Sequence, residues 1–137
     1  MEKIVAALQS RPKAPVRLTR NSKLFKVILE AIAEKKGEAT VSLDLRKIDE
    51  AVADFFVLTQ AESYTQIKAI ADAIEADVKM TTGERPYHRE DGQQWTLLDY
   101  VNVVVHILTP EHRKFYDLDS LWADAGRTEH LDTGKQK

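Results

Sequence analysis

Asp44 and Asp54 are carboxylates of the kind that hold a divalent cation in nucleotidyl transfer. That chemistry also needs a Gly/Ser-rich turn whose backbone cradles phosphate. No Gly-Ser turn precedes either aspartate, and Gly37, the nearby glycine, reads as a helix cap. There is no GxGxxG or Walker loop, and five glycines leave little backbone for a nucleotide. A metal centre would have to draw on His88, Asp91 and His112, and no two histidines stand at the i, i+4 spacing of a helical zinc pair. His106 lies inside the apolar run Val103 to Leu108, where a neutral ring hydrogen-bonded within the fold is expected. The chain has no cysteine, which removes disulfides, thiolate metal ligands and a thiol nucleophile. These residues point away from catalysis and from any cofactor.

The elements that position them follow from periodicity. The chain has 137 residues, enough for one domain with an ordinary core. Leu24, Val27, Ile28, Ala31 and Ile32 share one face of a helix over 23–36, capped by Asn21 or Ser22 and ended by Lys35-Lys36-Gly37. Thr40 to Leu45 alternates as a strand, and Phe55 to Thr59 is a continuous apolar run suited to a central strand buried on both faces. Ser63-Tyr64-Thr65-Gln66 has the form of a capping box and opens a helix that reaches about Thr82, where Gly83 closes it. Arg85 to Glu90 reads as a short strand, Asp91-Gly92 as a turn, and Trp95 to Tyr100 and Val103 to Leu108 as strands. Thr109-Pro110 starts a short helix.

The expected fold class is α/β: a single domain with a mixed five-stranded sheet and helices packed on it. Residues 2–9 have the composition for two helical turns before Pro12 and Pro15 break the chain. Residues 1–21 are read as a basic N-terminal arm, 22–125 as the domain and 126–137 as a flexible C-terminal tail without apolar periodicity.

Charge is divided unevenly. Residues 1–36 carry a net +6 and residues 37–137 a net −8. An acidic body suits a basic protein better than a phosphate backbone. The arm reads first as a solvated tail, with a minor contact to RNA as the alternative. No apolar stretch approaches the length of a membrane span, and the first 23 residues lack the apolar core of a secretory signal. They are basic and acid-poor, as organellar transit peptides are, although Glu2 and the Pro12/Pro15 pair fit that poorly.

The stretch Trp95 to Trp122 is the most distinctive. Trp95-Thr96-Leu97-Leu98-Asp99-Tyr100, Val103-Val104-Val105-His106, Phe115-Tyr116-Asp117-Leu118 and Leu121-Trp122, with Asp44-Leu45, Asp54-Phe55-Phe56-Val57 and Ser63 to Ile67 upstream, resemble the Iojap-like ribosomal silencing factors (RsfS). The likeness covers about residues 24–125. The combined tail motif is specific, and no single piece is. Members of that family often carry Gly-Asp after the Trp strand, where this chain has Val101-Asn102, one negative charge fewer.

The resemblance implies a nucleotidyltransferase-like fold without its catalytic apparatus, and a binding protein rather than an enzyme. It implies that the chain binds the large ribosomal subunit through ribosomal protein L-fourteen, blocks joining of the small subunit sterically and represses translation in the cytoplasm, with an organellar setting as the alternative. Trp95, Leu98, Asp99, Tyr100, Tyr116, Asp117 and Trp122 are the expected contact or supporting residues, since large rigid aromatics suit interfaces. Trp95 and Trp122 serve equally as core anchors, Tyr116 packs or makes contact, and of Leu97 and Leu98, on opposite strand faces, one is expected to be buried. An exposed aromatic patch could also self-associate, giving a homodimer in the free protein. The competing readings are an oligomerising adaptor for another basic protein and a nucleotidyltransferase-like enzyme.

Overall fold

The computed structural model describes residues 22–48, 53–121 and 125–130. Helix α1 (Lys23–Glu34) starts at Ser22, whose Oγ accepts the Phe25 N–H at 3.3 Å. It ends two residues short of the expected stop. Lys36 takes the left-handed conformation (φ 63°), and the bonds from Lys36 N–H to Ala33 O and from Gly37 N–H to Ile32 O close the helix. Gly37 is therefore not the left-handed cap. It is small because a Cβ there would lie 2.6 Å from Ile32 Cγ2 and 2.7 Å from Thr59 Oγ1.

Strands β1 (Glu38–Asp44) and β2 (Phe55–Gln60) are followed by α2 (Tyr64–Thr82), capped by Ser63 and closed by Gly83 at φ 79°. Then come β3 (His88–Glu90), β4 (Trp95–Asp99), β5 (Val103–Leu108), α3 (Pro110–Tyr116), α4 (Leu118–Leu121) and β6 (Gly126–Glu129). The sheet runs β3-β4-β5-β2-β1-β6. Among the described strands, β2 and β5 pair in parallel, connected through α2, β3 and β4, and the other neighbours are antiparallel. No helix among the described residues is long and apolar enough to cross a membrane.

The α/β class is as expected, with six strands rather than five. The sixth, β6, lies where a flexible tail was expected to begin. Its side chains are mostly exposed, so it has no apolar alternation to read. Its ladder to β1 holds it, from Val41 opposite Glu129 to Asp44 opposite Gly126, together with the His130 N–H bond to Thr40 O at 2.8 Å. The arm 1–21, with the helical turns expected at 2–9, and Trp122 lie outside the described residues.

Both faces of the sheet are covered. On one face α1 and α2 bury Phe55, Val57, Leu98, Tyr100, Val103, Val105 and Ile107. The other face collects Val41, Leu43, Phe56, Leu58, Trp95, Leu97, Val104 and Leu108 beneath Leu118 and Tyr116. Leu97 and Leu98 are therefore both buried, at 1% and 0% exposure, where one was expected. Arg89 on β3 ties the sheet to α2 through Asp72 (2.9 Å), Glu75 (3.1 Å) and Asp91 (3.0 Å). Burial works against its charge, but the three carboxylates raise its pKa.

The β4–β5 turn is strained. Val101 sits at φ 71°, and the Asn102 N–H bonds back to Tyr100 O at 2.9 Å, making a positive-φ γ-turn. A β-branched residue is disfavoured there by about 1–2 kcal/mol, whereas glycine adopts the conformation freely. The loop thus keeps a glycine-type backbone although it carries valine. Asn102 makes the turn worthwhile: its carbonyl accepts the Asp54 and Phe55 N–H groups, and its Nδ2 donates to Asp54 Oδ2 at 3.1 Å. Val101→Gly is expected to raise unfolding stability by about 0.5–1 kcal/mol, the relief of strain outweighing the extra freedom of the unfolded chain. Val101→Ile should gain nothing. Urea denaturation of the two variants checks this, and a destabilised Val101→Gly would show the turn to be unstrained.

Candidate partner-docking site

The aromatic residues gather where β4 begins and β5 ends. Trp95 opens β4 opposite Leu108, and His106 lies opposite Leu97, so Trp95 and His106 are diagonal neighbours on one sheet face. The Trp95 indole Nε1–H donates to His106 Nδ1 at 3.2 Å. Helix α3 then lays Tyr116 on the indole, with ring centroids 5.3 Å apart. His112 and Phe115 flank Tyr116 at 5.6 and 4.9 Å.

Local sequence explains the position of α3. Thr109 Oγ1 accepts the His112 N–H at 3.3 Å, Pro110 occupies the first turn, and the Thr109 N–H bonds to Gln94 O. The Arg113 guanidinium donates to Ala39 O at 2.6 Å and pins the far side of the helix to the start of β1. Gly92 permits the close return of the chain, since a Cβ there would lie 2.6 Å from Trp95 O. An open cleft lined by Gly92, Gln93, Gln94, Trp95, His112 and Tyr116 results.

Exposure grades the ledge from base to lip. His106 is 1% exposed and Trp95 7%, Tyr116 is half-buried, and Phe115 is 79% exposed. Burial pushes the His106 pKa down to about 3, so the ring is neutral and its Nδ1 lone pair is free to accept the indole N–H. The hydrogen bond expected for this histidine within the fold is thus to Trp95.

The expected site residues separate. Trp95 and Tyr116 come together, and Asp117 follows directly as the exposed left-handed cap of α3 (φ 47°), its Oδ1 accepting the Ser120 N–H at 3.3 Å. Leu98 and Tyr100 do not join them; both face the helices and are buried. Asp99, 1% exposed, is at the far end of β4, where its Oδ1 accepts the Val101 N–H at 2.7 Å and shapes the turn. Burial raises the Tyr100 pKa, and its hydroxyl has no partner among the described residues. All three are packed within the fold, apart from the Trp95–Tyr116 ledge. Trp122 lies outside the described residues. Phe115 is the ledge residue that sequence reasoning passed over. Phe115 and Tyr116 point about 100° apart on a helix, and here Phe115 is the one that faces solvent.

The carboxylates that raised the possibility of chemistry are engaged by the protein. Arg46 grips Asp44 with two bonds, Nε to Oδ1 at 2.9 Å and Nη2 to Oδ2 at 2.7 Å, while its guanidinium stacks 5.0 Å from the Phe55 ring. Asp54, nearly buried, accepts from Asn102. Of the metal candidates, Asp91 is held by Arg89, His88 faces Glu90 at 3.6 Å, and His112 lies against Tyr116. Among the described residues no three His, Asp or Glu side chains are grouped to hold a metal ion.

The family model described as "Ribosomal silencing factor during starvation" matches residues 19–137. A ribosomal silencing factor from Halalkalibacterium halodurans is 33% identical over 111 residues, covering 80% of this chain and 93% of that protein. The chloroplastic Iojap protein of Zea mays is 35% identical over 88 residues, 60% of this chain and 36% of that protein. A crystal structure of a Chromobacterium violaceum protein shares the fold with a TM-score of 0.68 at 27% identity, covering 74% of this chain and 84% of that one. By sequence over most of its length and by the fold it adopts, the chain belongs to the ribosomal silencing factor family.

Proposed function

We propose that this protein binds the large ribosomal subunit through ribosomal protein L-fourteen and prevents the small subunit from joining, repressing translation by occlusion and without chemistry. The observation that carries this reading is the Phe115–Tyr116–His112 ledge, an aromatic surface with an exposed Phe115 and half-buried Tyr116 and His112, seated on the buried Trp95. Rigid aromatic area at the centre of a contact carries most of the affinity of an interface. The net charge of −8 over residues 37–137 would steer the body toward a basic ribosomal protein.

A catalytic role has less support. Asp44 is neutralised by a bidentate arginine and Asp54 is tied to Asn102, so neither carboxylate is presented for a divalent cation. The cytoplasm is the proposed setting, with an organelle as the alternative. The exposed ledge also supports self-association of the free protein, in competition with the ribosome for the same rings. A sedimentation coefficient that stays constant with concentration would remove that proposal.

The test is sedimentation of the purified protein with large subunits, small subunits and joined ribosomes. Co-migration with the large subunit alone is expected, with fewer joined particles when small subunits are added. Binding to no particle, or to the small subunit, overturns the reading. Removing residues 1–21 should leave co-migration intact; if the arm instead supplied affinity through RNA, its loss would abolish binding, and binding of the full chain would fall steeply with salt.

A further inference from the structure

We propose that His106 is a positioning residue for the docking ledge: by accepting the Trp95 indole N–H it fixes the ring on which Tyr116 rests. The inference builds on the ledge being the contact surface, and part of its test does not depend on that.

His106 is an odd occupant of its place. It sits in the middle of β5, a strand whose other members are Val103, Val104, Val105, Ile107 and Leu108, all buried. On its own face it lies among Phe56, Leu58, Trp95, Leu97, Val104 and Leu108. An aliphatic side chain would suit that position with no polar atom to satisfy. The imidazole cannot be satisfied fully. Because Nδ1 accepts from Trp95, the proton of the neutral ring is on Nε2, and buried Nε2 has no partner among the described residues. A stranded buried donor disfavours the folded state. Among the described residues, the bond to the indole is the interaction that accounts for a histidine here.

That bond matters because of what stands on it. The Phe56 ring, 4.8 Å away, backs the imidazole on one side. The indole lies 5.8 Å on the other, between His106 and Tyr116, and Tyr116 in turn packs against Phe115 and His112. Without an acceptor at Nδ1 the nearly buried indole N–H would be left unpaired. The ring would then gain by turning toward the open cleft beside Gln93 and Gln94, taking Tyr116 with it. Neutrality keeps the acceptor in place, since a protonated ring has only donors.

Two variants separate positioning from packing. His106→Asn keeps an acceptor, Oδ1, two bonds from Cβ where Nδ1 stands; His106→Leu fills the site without one. In the full-length free protein, the Trp95 indole N–H resonance and its hydrogen exchange are read by nitrogen-15 NMR. Large-subunit affinity and urea unfolding are read beside them. The expected result for His106→Leu is a shifted, faster-exchanging indole and affinity weaker by about tenfold, with stability equal or higher. His106→Asn should restore the indole signal and most of the affinity. An unchanged indole in His106→Leu overturns the proposal whatever the protein binds. A changed indole with undiminished affinity overturns it as well. If the unaltered protein fails to bind large subunits, the reading of the ledge falls, and the indole experiment still decides whether His106 holds Trp95.

Discussion

Trp95→Ala is expected to cost about 3–5 kcal/mol of folding stability, the range for truncating a large core aromatic. The indole is 7% exposed and belongs to the cluster with Leu97, Val104 and Leu108. Its removal opens a cavity that β4 and β5, locked in register on both sides, are poorly able to collapse. It also leaves His106 Nδ1, buried, without its donor. Domains of this size are stable by only about 5–15 kcal/mol, so the variant should lose a large share of its stability. Urea denaturation is the measurement. A midpoint equal to that of the unaltered protein, with affinity for large subunits sharply reduced, would show that Trp95 faces a partner instead of the core.

Phe115→Glu should have the opposite profile. The ring is 79% exposed and touches little but the edge of Tyr116, 4.9 Å away, so stability should change by no more than about 0.5 kcal/mol. Affinity for the large subunit should fall by about 2–3 kcal/mol, roughly 30- to 150-fold, if the ring is central to the contact. The substitution also decides between two forces. If attraction between an acidic body and a basic partner dominated, an added carboxylate would leave affinity unchanged or raise it. A loss assigns the binding to aromatic packing. Unaltered affinity would remove Phe115 from the interface and, with it, the main support for this ledge as the docking surface.

Much of the fold was legible in the chain. Helical spacing at Leu24, Val27, Ile28, Ala31 and Ile32, the Ser63 and Thr109 caps, and the unbroken apolar run from Phe55 each report a local preference that the tertiary structure reinforces. The family was legible too, through the resemblance of the motifs from Trp95 onward to those of the silencing factors. Less could be read about the site. Trp95 and Tyr116 were expected together and they meet, whereas Leu98, Asp99 and Tyr100, expected beside them as contact or supporting residues, lie apart from that ledge. Strand alternation separates Leu98 and Tyr100 from Trp95, and the length of β4 separates Asp99 from it.

The amino-acid sequence alone determined most of the elements, the Ser63 and Thr109 caps and the α/β class through propensity and periodicity over short stretches, and the family through its resemblance in motif. Only the tertiary structure decided which faces are covered, and so whether Leu97 or Leu98 would be buried; layers on both sides of the sheet bury both. It also decided that Gly126–Glu129 is a strand, because an edge strand held by its backbone ladder needs no apolar pattern. Arg46 against Asp44, His106 beneath Trp95 and Phe115 left in solvent are likewise outcomes of packing. Each depends on the position and burial of a side chain, which are properties of the assembled fold.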